Sequence, residues 1–133
     1  MKLTRASSYA IHALVFMATE KRNRPVASHY IAKARGIPER FLLKVLKPLV
    51  SARVLHSVKG PNGGYRLARA ANDITLLEIL EAVDGPIRGQ PTFSREEGKG
   101  SLNKRLHRIF SQAAEQVRKQ LQRVRISDLP KRD

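Results

Sequence analysis

Cysteine is absent from this 133-residue chain, so no disulfide, thiolate-held metal or thiol redox switch can form. No apolar run is long enough to cross a membrane, and the opening Met1-Lys2-Leu3-Thr4-Arg5 lacks a signal peptide's apolar stretch. A cytoplasmic protein, away from membranes, is the expectation. Aromatic residues make up only 5% of the chain and form no base-stacking pattern, which disfavours an RNA-binding module. Acidic residues are few, 11 against 26 Lys and Arg, for a formal net charge of +15. Residues 1–75 hold 14 Lys and Arg against 3 Asp and Glu, a net +11, and the remainder carries +4. Ordinary solubility rarely needs so one-sided a surface, so a polyanion touching the N-terminal half is expected.

Enzyme signatures are missing too. His12, His29, His56 and His107 show neither His-x-x-x-His nor His-x-His spacing, and no Ser-His-Asp set or paired-carboxylate site stands out. Glu96-Glu97 reads as solvated loop charge. Gly60–Gly64 lacks the Gly-Lys-Ser/Thr ending of a phosphate-binding P-loop, and a strand should follow it. No catalytic, metal or cofactor site is expected.

What is present is a globular composition, 41% hydrophobic, enough for one core. Thr4 can cap a first helix running to about Glu20, with Ala6, Ala10, Ala13, Leu14, Met17 and Ala18 as its apolar stripe and His12 on or beside the buried face. A second helix is expected from about Ser28 to Ala34, ended by Gly36. Pro38 opens a third, whose stripe is Phe41, Leu42, Val45, Leu46 and Leu49, with a bend or early end at Pro48. Two apolar runs, 53–58 and 65–68, flank the tip Lys59-Gly60-Pro61-Asn62-Gly63-Gly64 and read as a β-hairpin. Thr75 and Glu78 have capping-box spacing for a fourth helix to about Val83. Residues 86–100 read as a loop, and a long helix follows from Ser101 to about Arg125. Its stripe of Leu102, Leu106, Ile109, Ala113, Val117, Leu121 and Val124 suits pairing with a second copy, or folding back onto the first helix.

Helices two and three form a helix-turn-helix, and the hairpin after them makes a wing: a mainly α, winged helix-turn-helix fold. Its domains would be 1–85 for DNA binding, a loop at 86–100, and 101–133 for dimerisation. Glu39, Arg40, Leu43, Lys44 and Lys47 lie off the stripe of helix three and should face outward. Arg40 suits a guanine edge, Leu43 a thymine methyl or equally the core, and Lys44 and Lys47 phosphates. Lys59 suits a narrow minor groove. Gly60, Asn62, Gly63 and Tyr65 complete the wing contact, and Thr4, Arg5 and Ser28 stand at helix starts suited to phosphates.

The run Ser57-Val58-Lys59-Gly60-Pro61-Asn62-Gly63-Gly64-Tyr65-Arg66-Leu67-Ala68 resembles the wing signature of the Rrf2 family of bacterial transcription regulators. Met1–Thr4, Tyr9-Ala10, Ile31-Ala32, Gly36-Ile37, Ile74–Leu76, Ile79-Leu80, Ala82–Gly85 and Ile126–Leu129 extend the likeness along the chain. The resemblance implies a dimeric winged-helix protein, usually a repressor, on a near-palindromic operator of double-stranded DNA. Three departures stand out. The cysteines that hold an iron–sulfur cluster in sensing members are missing, and His107 alone cannot hold one. Arg53 replaces the usual glycine, at a cost of about 1 kcal/mol if it takes positive φ. Leu43 replaces an acidic or polar residue. Control would then come from a small molecule, a partner protein or simple abundance. The alternative function is a nonspecific architectural nucleic-acid binder.

Overall fold

Thr4 takes extended backbone and its hydroxyl accepts the Ser7 amide at 3.0 Å, which starts α1 (Arg5–Ala18). The computed structural model describes residues 2–20, 24–89 and 100–130. After α1 come α2 (Ser28–Arg35), α3 (Glu39–Ser51), the hairpin β1 (Leu55–Val58) and β2 (Gly64–Leu67), α4 (Leu76–Asp84) and α5 (Ser101–Gln122). Short 3-10 turns occupy Ala71–Asp73 and Ile126–Asp128. This is the mainly helical winged helix-turn-helix expected from the sequence. Residues 90–99, the larger part of the expected loop and the site of Glu96-Glu97, lie outside the described residues.

One core joins α1, α2, α3, the hairpin and α4. Leu14, Ile31, Leu42, Leu46, Leu49, Leu55, Ile74 and Ile79 are almost completely buried within it. Three expectations are corrected here. Phe41, assigned to the apolar stripe, is 50% exposed, because it stands at the stripe's edge and its ring lies under the Lys44 ammonium. His12 is exposed, one position off the buried Ala13 and Leu14. Of the bend or early end expected at Pro48, the early end does not occur, since α3 runs on to Ser51. The carbonyl that Pro48 leaves without a donor belongs to Lys44, on the exposed side where water can serve it.

Two helices end in the same way. Gly36 takes φ 64° and the Ile37 amide reaches the Ala32 carbonyl at 2.9 Å. At the end of α3, Arg53 takes φ 61°, with Arg53 amide to Val50 carbonyl at 3.0 Å and Val54 amide to Leu49 carbonyl at 3.0 Å. These two bonds, with Val54 and Leu49 both buried, form a Schellman motif. The second helix end therefore places an arginine where glycine would be unstrained.

The chain returns to this core after α5. Leu76 amide to Val124 carbonyl (2.8 Å) and Ile126 amide to Ile74 carbonyl (3.0 Å) pair the two segments, and Ile126 is completely buried. The C-terminal half of α5 thus runs antiparallel to α4, fastened midway where Arg118 donates to Glu81. At 22 residues α5 spans about 33 Å, so its N-terminal half extends past α4, with Leu102 and Ile109 mostly exposed. Helix α5 folds back, but onto α4 rather than α1.

Helix α4 carries the expected capping box. Glu78 amide donates to the Thr75 hydroxyl at 3.2 Å and Thr75 amide to the Glu78 carboxylate at 2.9 Å. Partial burial would raise the Glu78 pKa, but the Arg69 guanidinium at 2.7 Å and the Thr75 amide and hydroxyl outweigh it and lower it. A lowered carboxyl pKa stabilises the fold fully above the ordinary glutamate range, and that contribution is lost as pH falls through the lowered value. Glu78→Gln is expected to cost about 1 kcal/mol at neutral pH and progressively less in acid, read by urea unfolding across pH. Arg53→Gly is expected to stabilise by about 1 kcal/mol in the same assay; a loss of stability would remove the strain argument.

Candidate nucleic-acid interface

The helix-turn-helix is fixed at its N-terminal edge by a side-chain bridge. Ser28, first residue of α2, donates through its hydroxyl to the Glu39 carboxylate, first residue of α3, at 3.1 Å. Successive residues turn by roughly 100° on a helix, so Arg40, Leu43, Lys44 and Lys47 share one face of α3, opposite Leu42, Val45, Leu46 and Leu49. All four of these outward residues are exposed. Leu43, at 41% exposed, is therefore not a core residue. The Lys44 ammonium lies 5.7 Å from the Phe41 ring centroid, a contact that holds a long cation in place on this face.

The wing is built by close backbone approach. Its register pairs Leu55 with Leu67, His56 with Arg66, Ser57 with Tyr65 and Val58 with Gly64. Gly63 amide to Gly60 carbonyl, 3.0 Å, closes the tip. Val26 and Tyr65 exchange two backbone hydrogen bonds of 2.8 Å each, docking the wing on the segment before α2. A Cβ on Gly64 would lie 2.3 Å from the Val26 carbonyl oxygen, and one on Gly63 2.1 Å from that of Val58. Both glycines are thus required by the chain's own backbone, whatever the wing touches. Lys59, Gly60 and Asn62 are exposed at the tip, whereas Tyr65 is half-buried against the core.

At the far end of the site Thr4 is engaged twice. Its hydroxyl accepts the Ser7 amide and donates to the Asp84 carboxylate at 2.9 Å, while the buried Ser7 hydroxyl donates to the same carboxylate at 2.5 Å. Arg5 is exposed beside them. Sequence reasoning missed this Thr4–Ser7–Asp84 lock. The acidic Asp84 in the Ala82–Gly85 segment was its only signal. It also missed an aromatic pair between α1 and α2, Phe16 and Tyr30 with centroids 5.8 Å apart, capped by the Arg35 guanidinium 5.6 Å from Phe16.

The residues expected at a dimer interface divide. Leu102, Ile109 and Ala113 are exposed, while Leu106, Val117, Leu121 and Val124 are half-buried.

Comparison with known proteins gives a consistent picture. The family described as Rrf2, iron-dependent transcriptional regulator, matches residues 3–132. A Mycobacterium tuberculosis protein classed as an HTH-type transcriptional regulator is 36% identical over 102 residues, 77% of this chain and 61% of that protein. The HTH-type transcriptional regulator IscR of Vibrio atlanticus is 28% identical over 131 residues, covering 98% of this chain and 76% of IscR. Among solved structures, CymR, the global cysteine regulator of Bacillus subtilis, superposes with a TM-score of 0.76 at 24% identity, over 97% of this chain and 95% of CymR. The chain spans under two thirds of the length of several curated relatives that it matches.

The family description implies iron, and the donors here do not fit it. The sequence has no cysteine, and among the described residues no three His, Asp or Glu side chains come together.

Gly64→Ala tests the wing's construction. Its Cβ must displace the Val26 strand, so a loss well above 1 kcal/mol is expected in urea unfolding. A change below about 0.5 kcal/mol would mean that the docking is not tight.

Proposed function

Because this chain belongs to the Rrf2 family of transcriptional regulators, we propose that it is a sequence-specific, homodimeric DNA-binding regulator, a repressor acting by operator occlusion in the cytoplasm. The observation that carries this reading is the exposed face of α3, where Arg40, Leu43, Lys44 and Lys47 project together beside a Lys59-tipped wing. A helix presenting such a face fits the major groove, which is wide enough to admit it and displays a distinct pattern for each base pair. Arg40 reads a guanine edge, Leu43 contacts a thymine methyl, and Lys44 and Lys47 hold phosphates. Lys59 enters the flanking minor groove, where narrow A·T-rich segments attract cations, with Gly60, Asn62 and Gly63 shaping the approach. Tyr65 and Glu39 act from behind, docking the wing and orienting Ser28.

The Thr4 and Ser28 hydroxyls already serve Asp84 and Glu39, so phosphate binding at those helix starts falls to Arg5 and to helix-start amides. The exposed half of α5, with Leu102, Leu106, Ile109 and Ala113, supplies the seam for a second copy. Pairing there would place two recognition helices about 10 bp apart or a multiple of it. Control is exerted without a metal cofactor, by a small molecule or a partner protein.

The net charge of +15 favours one other reading, nonspecific architectural binding. Selection of bound duplexes from a random pool separates the two. A two-fold symmetric consensus is expected, bound about 10³-fold or more tighter than random duplex. Equal affinity for all sequences would establish the architectural reading instead. On the selected operator, Arg40→Ala is expected to cost about 1–3 kcal/mol and to relax preference at one base position. Lys47→Ala should weaken binding to all sequences alike and reduce the salt dependence.

A further inference from the structure

A cleft of about 660 Å³ opens between the start of α1, α4, the segment 85–89 and the C-terminal half of α5. Its walls are mainly apolar, with Leu3, Ile11, Leu80, Ile87, Phe110 and Val117 among the residues that line it. Lys2 and Arg88, both exposed, also line it. Among the described residues the one carboxylate there, Asp84, is already hydrogen-bonded by Thr4 and Ser7. The frame is braced. Glu81 accepts the Ile87 amide at 2.9 Å and also the Arg118 guanidinium, tying α4, the 85–89 segment and α5 together. Gly89 lies so close to α5 that a Cβ on it would overlap the Phe110 carbonyl. The segment is thus pressed onto α5 as a strap closing one side of the cleft.

We propose that this cleft binds a small amphipathic carboxylate, an aliphatic or aromatic tail with one anionic head, as the regulatory ligand of a regulator that has no thiols. The volume falls within the range of small-molecule sites, and an apolar body with few polar groups is the usual lining of such sites. The head is selected by charge. Lys2 and Arg88 attract an anion, and a neutral tail of the same length gains only the apolar contact. The cleft lies between the α1–α4 body and α5, so an occupant changes how the two sit on each other. Its effect on DNA rests on the function proposed above, whereas its binding does not.

Binding is measured first on the full chain without DNA. Anilinonaphthalene sulfonate, apolar with an anionic head, should bind saturably with a stoichiometry near one per chain, and decanoate should displace it. Decanol should displace it at least tenfold less well, and Lys2→Ala with Arg88→Ala should remove that difference while leaving decanol unchanged. Equal displacement by decanol and decanoate, or no saturable binding, overturns the proposal. Sedimentation is run in parallel. Dissociation of a dimer in step with decanoate binding would assign the cleft to a second copy and overturn the proposal as well. Where the selected operator is bound, decanoate should shift operator affinity at least fivefold, and the operator should shift decanoate affinity by the same factor. A chain that binds decanoate but selects no operator leaves the ligand site standing and removes the DNA reading.

Discussion

One carboxylate ties the end of α4 to the start of α1. Asp84, last residue of α4, accepts hydrogen bonds from the Thr4 and Ser7 hydroxyls at the start of α1. Ser7 is completely buried, and a buried hydroxyl left without a partner would cost about 1–3 kcal/mol. The start of α1 presents unpaired amides and the positive end of its dipole, so a carboxylate is favoured there. The lock fixes where α4 ends. Gly85 then releases the chain at φ 87° into the strap that closes the cleft. Helix α5 is held on this frame by the Glu81–Arg118 pair and by the backbone bonds that join Ile74 and Leu76 to Ile126 and Val124.

A second constraint governs the side proposed to face DNA. Gly63 and Gly64 let the hairpin approach its own backbone and the Val26 segment, so the wing is anchored at its base and free at its tip. The Ser28–Glu39 bridge does the same for the helix-turn-helix. Cations on such a frame, Arg40, Lys44, Lys47 and Lys59, are presented by rigid elements, which keeps low the ordering cost of binding a polyanion. Arg53 runs against this economy, since glycine would serve the same Schellman turn without strain.

Most of the element order was legible in the residues. The Gly36 stop, the Thr75–Glu78 box and the Lys59–Gly64 tip are local signals, decided by backbone conformations that few residue types accept. The outward face of α3 was legible too, because helical periodicity alone separates Arg40, Lys44 and Lys47 from Leu42, Leu46 and Leu49. Phe41 was misplaced because hydrophobicity does not say which edge of a stripe the core reaches. His12 was misplaced because one helical step separates it from Ala13. The Thr4–Asp84 contact, spanning 80 residues, left no local trace at Thr4 beyond its role as a cap.

The fold class, the basic outward face of α3, the wing and the lack of thiolate ligands were all readable from the residues. Each of these follows from residue type and short-range spacing. Packing settled the rest: Leu43 faces out, Gly63 and Gly64 are needed by the chain's own backbone, and α5 folds half its length onto α4. Packing also assembled the cleft, whose walls come from residues as far apart as Leu3 and Leu121. Such features depend on which distant surfaces meet, and no periodicity within one helix specifies its neighbour.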